Sequence, residues 1–165
     1  MKRLGIALGA GIIILMVILS VANLIFSTGS EEAAIDRAAR SLSVTRDISQ
    51  LASSYSEDNF INYNAASLNA IATSQYRDIV AIKAEVYGTA YGLAPPSLAK
   101  QDQDLEEAAR AGTQDELAAD FMAQATQTAI NELSTVESQL PNSYAEQLQT
   151  MRADLALFLE ELAPS

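Results

Sequence analysis

The sequence predicts an all-α chain: an N-terminal transmembrane helix followed by an antiparallel four-helix bundle with one extra short helix. Three observations carry this. The 23 residues from Leu4 to Phe26 hold no charge. Beyond Ser27 the apolar residues recur at helical spacing, and no run alternates with period two for long enough to make a strand. Glycines, prolines and capping patterns cut that remainder into four long amphipathic segments and a short one.

Taken in order, residues 1–27 read as the anchor. At 1.5 Å per residue, the stretch Leu4–Phe26 covers the ~30 Å hydrocarbon core of a bilayer. Lys2 and Arg3 precede it, and the positive-inside tendency holds them in the cytoplasm and exports the chain beyond the span. The competing reading is a cleaved signal with Ser20-Val21-Ala22 as its A-x-A-like site. Asn23-Leu24-Ile25-Phe26 prolongs the apolar run past that cut, which favours the anchor. Gly5 and Gly9 form a G-x-x-x-G, a candidate face for transmembrane helix packing, although small residues are also ordinary on lipid-facing surfaces. Residues 28–30 then read as a short spacer and 31–165 as the extracytoplasmic bundle.

A first bundle helix is expected from near Ser30, whose hydroxyl would cap Glu31-Glu32, with Ile35, Leu42, Ile48, Leu51 and Tyr55 on its apolar stripe. The polar SYSEDN stretch places a turn at Glu57–Asn59. A long second helix comes next with Leu68, Ala72, Ile79, Ile82 and Val86 in heptad-like register, stopped within YGTAYGLAPPS by Gly88, Gly92 and Pro95-Pro96. The short helix Leu98–Ala111 is closed by Gly112. Thr113-Gln114-Asp115-Glu116 has the capping-box pattern and opens a helix with Leu117, Phe121, Met122, Ala125, Ala129, Leu133, Val136 and Leu140, broken at Pro141. Ser143-Tyr144-Ala145-Glu146 is a second such box, opening a last helix with Tyr144, Leu148, Met151, Leu155, Phe158 and Leu162 on one face. Packing these stripes together as an antiparallel bundle is the economical way to bury them.

Composition excludes several chemistries. All 21 acidic residues but only eight of the ten basic ones lie beyond Phe26, a net charge of −13 on the exported part. That balance repels nucleic acid and anionic headgroups. Without cysteine there is no disulfide or thiolate site, and without histidine the commonest general base and transition-metal ligand is missing. Glu85, Glu132 and Glu137 lie on helices but lack nitrogen ligands beside them. The acidic run Gln101–Glu107 lacks the turn glycine and twelfth-position glutamate of a calcium loop. No Gly-x-Ser-x-Gly, Ser-x-x-Lys or phosphate-binding loop is present. The expectation is a protein without cofactor, metal site or catalytic residues.

Tyr55, Tyr63, Tyr76, Tyr87 and Tyr91, with Asn59, Asn62, Asn64 and Asn69, concentrate in one part of the chain. Both residue types are favoured at recognition surfaces, which makes Tyr63, Tyr76, Tyr87 and Tyr91 a candidate partner surface; tyrosine equally suits the boundary of a bundle, ring in and hydroxyl out.

The pieces GLAPPS, LEEAARAGTQDELAADFMAQATQTAINEL and LQTMRADLALFLEEL, in that order and spacing, resemble the latter part of an uncharacterised family of exported bacterial proteins with a ferritin-like helical bundle, of the outer-membrane protein type. The likeness spans roughly Leu68 to Leu162. Members of that family usually carry histidines on three helices. The corresponding positions here fall near Tyr76, at Thr126 and at Asp154, none of which replaces imidazole. The resemblance therefore carries over the fold and not a metal function.

The functional expectation is a single-pass, membrane-anchored extracytoplasmic bundle serving as an interaction or scaffold module of the cell envelope, with other envelope proteins or its own copies as partners. A pilin-like subunit assembling through the N-terminal helix is a second expectation, although the early glutamate of pilin helices is missing. A bundle binding a small apolar or cationic ligand is a third.

Overall fold

The structure is a computed structural model. It describes the backbone of residues 2–88 and 97–162 and, within that range, the side chains from residue 29 onward. The described residues are helical, without a strand: α1 (Lys2–Tyr55), α2 (Asn59–Tyr87), α3 (Ala99–Ala111), α4 (Gln114–Gln139) and α5 (Ala145–Leu162).

The buried positions explain why four of these helices lie side by side. On α1 they include Ile35, Ala38, Leu42, Thr45, Ser49 and Ala52, on α2 Ile61, Ala65, Leu68, Ala72, Gln75, Ile79 and Ile82, and on α5 Leu148, Met151, Leu155, Phe158 and Leu162. In each helix the steps alternate between three and four residues, a mean period of 3.5, which keeps one seam facing the neighbours along the whole length. On α4 the seam is Ala118, Met122, Thr126, Ala129, Leu133 and Val136. Among the residues expected on the stripes, Leu51, Tyr55, Val86, Leu117, Phe121, Ala125 and Tyr144 are only partly buried and flank this core.

Each helix packs against two neighbours, in the cyclic order α1, α2, α5, α4. Contacts along the axis fix the directions. Ser56, just past α1, bonds Asp115 at the start of α4, while Arg37, nearer the other end of α1, meets Glu132 far along α4. Gln75 in mid-α2 reaches Met151 in α5. Neighbours are thus antiparallel, with α1 and α5 running one way and α2 and α4 the other. The connection after α2 must return to the opposite end of the bundle, and α3 forms part of that return, with Asp102 accepting a 2.8 Å hydrogen bond from the Tyr55 hydroxyl.

Several expected boundaries are realised, some by different chemistry. The break after α1 falls at residues 56–58, and Asp58 caps α2 by accepting from the Phe60 amide at 2.6 Å. Gly88 ends α2 at φ 69°, a left-handed conformation that favours glycine. Gly112 does the same for α3 at φ 75°, and the bonds Thr113 N–H to Ala108 O (3.0 Å) and Gly112 N–H to Ala109 O (3.3 Å) complete a Schellman motif.

Three expectations are corrected. α1 runs without interruption through Gly29 and Ser30, so Ser30 lies inside a helix and is not its cap. Thr113 precedes α4 without a side-chain capping bond, because its backbone is already committed to closing α3. The last helix is entered through a 3-10 turn, Asn142–Tyr144, in which the Tyr144 amide bonds Pro141 O at 3.1 Å. The expected stops at Gly92 and Pro95-Pro96 lie outside the described residues.

Candidate functional site

Polar residues inside a bundle need partners, and most here use their own helix. Thr126 donates to Met122 O, Asn64 to Phe60 O, and Ser49 to Arg46 O. This back-bonding spends their hydrogen-bonding capacity locally and leaves little for chemistry. Two of the buried polar side chains also reach across to the other hairpin. Thr45 Oγ1, besides donating to Ser41 O, lies 3.1 Å from Ala125 O on α4, and Gln75 Nε2 donates to Met151 O on α5 at 2.8 Å.

One concavity lies along the α1–α4 seam. It has a volume of about 370 Å³ and is lined on α1 by Arg37, Arg40, Ser41, Val44 and Ile48, on α4 by Phe121, Gln124, Ala125, Thr128 and Glu132, and at one end by Gln101 of α3. The antiparallel helices sort this lining by polarity. Arg37, Arg40 and Glu132 gather at one end; Val44, Ile48, Phe121 and Ala125 lie toward the other, with Gln101 and Gln124 beside them. Arg37 Nε pairs with Glu132 Oε2 at 3.2 Å, whereas Arg40 is exposed and makes none of the described hydrogen bonds or ion pairs.

A second pair of hollows runs along the α2–α5 seam. One, of about 480 Å³, includes Gln75, Asp78, Met151 and Asp154; the other, of about 250 Å³, includes Ile71, Asp154, Leu157 and Glu161. The buried Oε1 of Gln75 has no hydrogen-bond partner.

The hairpins carry ionic locks. Lys83 on α2, only 4% exposed, lies 2.6 Å from Asp36 and 3.4 Å from Glu32 on α1. Burial pulls its ammonium down, but the hydrogen bonds and charges of Asp36 and Glu32 together outweigh this, and its pKa lies above the ordinary lysine value. One turn on, the Tyr87 hydroxyl donates to Glu31 at 3.2 Å; burial and the Glu31 charge push it up to about 12. Between α4 and α5, Glu137 accepts from Gln149 and from Arg152, which hold its carboxyl below the usual range.

The candidate tyrosines do not share one face. Tyr63 is 72% exposed. Tyr76 packs against the core with the Arg46 guanidinium 5.9 Å from its ring centre, and Tyr87 is engaged in the lock. On a 3.6-residue helix Tyr76 and Tyr87 are nearly aligned, and Tyr63 points roughly 140° away. Tyr91 lies outside the described residues, and of Gly5 and Gly9 only the helical backbone is described, so their packing face lies outside what the structure describes. The asparagines serve the α1–α2 hairpin: Asn62 accepts from Ser53 and donates to Ser56 O, and Asn69 donates to Arg46 O. Sequence reasoning missed the α1–α4 concavity. Its signal was Arg37, Arg40 and Val44 at i, i+3 and i+7 beside the core stripe.

The three positions matched to the family's histidines also diverge. Thr126 is fully buried, Tyr76 half-buried at the edge of the core and Asp154 exposed, and it is Gln75, the residue before Tyr76, that is buried. Among the described residues no three acidic, histidine or cysteine side chains converge as a metal-binding group. No helix among the described residues is long and apolar enough to cross a membrane; the span expected at 4–26 lies outside the described side chains. Comparison of the chain with protein-family models, with characterised proteins and with solved structures gives no match.

Proposed function

We propose that the chain is a single-pass membrane protein whose helical bundle stands outside the cytoplasmic membrane and serves the cell envelope as an interaction or scaffold module. The observation that carries this reading is the continuity of α1, a 54-residue helix in which the apolar N-terminal stretch and the bundle's first stripe are one element. A helix shared by anchor and bundle transmits position and orientation, as a scaffold requires. The Lys83 lock onto Asp36 and Glu32 supports it, because it fastens α2 to α1 close to where α1 enters the bundle. Phe60 (52% exposed), Tyr63 and Leu157 (58%) offer apolar contact points for a partner. We further read the bundle as ferritin-like, on the support of its single long crossover between two antiparallel hairpins.

The test is fractionation of the full-length chain expressed with its native N-terminus, together with intact-mass measurement. Retention in the membrane pellet through alkaline carbonate extraction, with an unprocessed start, is the expected result. A soluble species beginning at Asn23 overturns the anchor, and a chain accessible to protease only from the cytoplasmic side overturns the orientation.

A further inference from the structure

We propose that the α1–α4 concavity is a binding site for a single acyl chain ending in a carboxylate, a fatty-acid-like ligand seated with its head at Arg37 and Arg40 and its tail toward Phe121. The inference stands on the cleft alone and does not need the scaffold role.

Charge selects the head. On a surface carrying −13 overall beyond Phe26, two of the eight basic residues face one cleft, and only Glu132 opposes them. Glu132 is held by Arg37, which leaves Arg40 as an unpaired guanidinium at the rim. A guanidinium fork matches a carboxylate in two parallel hydrogen bonds, so an acid is preferred over an alcohol or an amine.

Shape selects the tail. From Arg37 to Ile48 the cleft tracks α1 for about 16 Å. A partner helix of that length, about 10 Å across, would occupy on the order of 1,000 Å³; the cleft offers about 370 Å³. An extended peptide would fit the width but would bring backbone amides that need partners. The lining supplies few of them: Ser41 already donates to Ala38 O and Thr128 to Gln124 O, the helix backbones are internally bonded, and Gln101 and Gln124 are the two side-chain amides that remain. An acyl chain asks for nothing from Val44, Ile48, Phe121 and Ala125 except burial of its methylenes. The volume falls within the range of small-molecule sites, and the lining has the usual composition of apolar walls with a few orienting polar groups.

The test uses the full-length chain in zwitterionic nanodiscs with a C16 fatty acid carrying a photoreactive diazirine near its tail, and maps adducts by peptide mass. Adducts at Val44–Ile48 and around Phe121 are expected. They should fall at least fivefold in R40E and R37E, in a cleft-filling V44W variant, and when the fatty alcohol replaces the acid. Circular dichroism and thermal melts confirm that each variant is folded; should R37E unfold, R40E, which removes no described contact, decides alone. Labelling confined to residues 4–26, equal labelling by acid and alcohol, or undiminished labelling in folded R40E overturns the proposal. So does capture of an acidic peptide that competes fully with the fatty acid at this cleft.

Discussion

The two seams that join the hairpins, α1 with α4 and α2 with α5, are built on the same plan with different spacers. Each is crossed by one polar side chain that reaches a backbone carbonyl of the facing helix. In the first it is Thr45, whose hydroxyl sits one bond beyond Cβ and shares its single proton between Ser41 O and Ala125 O; in the second it is Gln75, whose amide lies three carbons from the backbone. A short tie demands close helices, and the small residues Ala34, Ala38, Ala118 and Ala129 provide for that approach. The long tie permits a gap, and α2–α5 is the most open of the four neighbouring contacts, with hollows along its length. Charge then separates them further, arginines flanking the tight seam and Asp78, Asp154 and Glu161 the open one. One bundle thus carries two grooves of opposite preference.

The contrast predicts how substitutions sort. The largest effect is expected from Phe158→Ala, because Phe158 is 2% exposed and anchors α5 where its contact with α2 is thin. Loss of a buried phenyl costs about 3–5 kcal/mol, read as a lowered urea midpoint by circular dichroism. Next, Ala129→Leu forces extra atoms into the tight part of the core and is expected to cost about 1–3 kcal/mol. Ala70→Leu, on the exposed lip of the open seam, should stay within about 0.5 kcal/mol. Equal losses from both alanine substitutions would break the comparison.

Effects smaller still at neutral pH come from the ionic locks of the hairpins, and they have opposite signs. Lys83 and Tyr87 have folded pKa values raised above their unfolded ones, so their stabilisation is complete below about pH 10 and is lost as pH rises through the folded values, about 12 for Tyr87. Glu137 has a depressed folded pKa, so its contribution is present above the ordinary carboxylate value and is lost as pH falls through the folded one. Tyr87→Phe should flatten the alkaline limb of stability against pH and leave the acid limb alone, and Glu137→Gln should do the reverse. Both limbs moving together in either variant would show that the locks are not separate.

How much of this was readable in advance depends on the range over which each signal acts. The apolar stripes of α2 and α5 were legible almost residue by residue, because Leu68, Ile79, Leu148 and Phe158 repeat at the period of their own helix. Gly112 was legible as a stop, since only glycine adopts φ 75° without strain. The Thr113 capping box failed because a neighbouring Schellman motif claimed the same backbone, a competition that a four-residue pattern does not show. The α1–α4 cleft was hidden for a similar reason: Arg37 and Arg40 carry no such signal within their own helix, and the apolar wall, Phe121 and Ala125, comes from some 80 residues away. The tyrosine cluster illustrates the converse, in that nearness in sequence put Tyr63 and Tyr76 together and helix geometry set them apart.

The last prediction probes Gln75 itself, where two opposing contributions nearly cancel. Its Nε2–H bond to Met151 O competes with a carbonyl already inside α5, while Oε1 is buried without a partner. A hydrogen bond of this kind contributes about 1 kcal/mol, and an orphaned buried acceptor costs about as much or more. Gln75→Leu removes both at similar volume, so its net effect should lie within about 1 kcal/mol, in the stabilising direction. Thr45→Val, which removes a hydroxyl that leaves no orphan behind, should destabilise by about the value of the bond. If the gap at α2–α5 is set by the glutamine's length, the leucine variant should also draw the two helices together, and a spin-label distance between Ser67 and Leu157 should shorten. A destabilised Gln75→Leu with that distance unchanged would mean that the amide, not the packing around it, holds the seam.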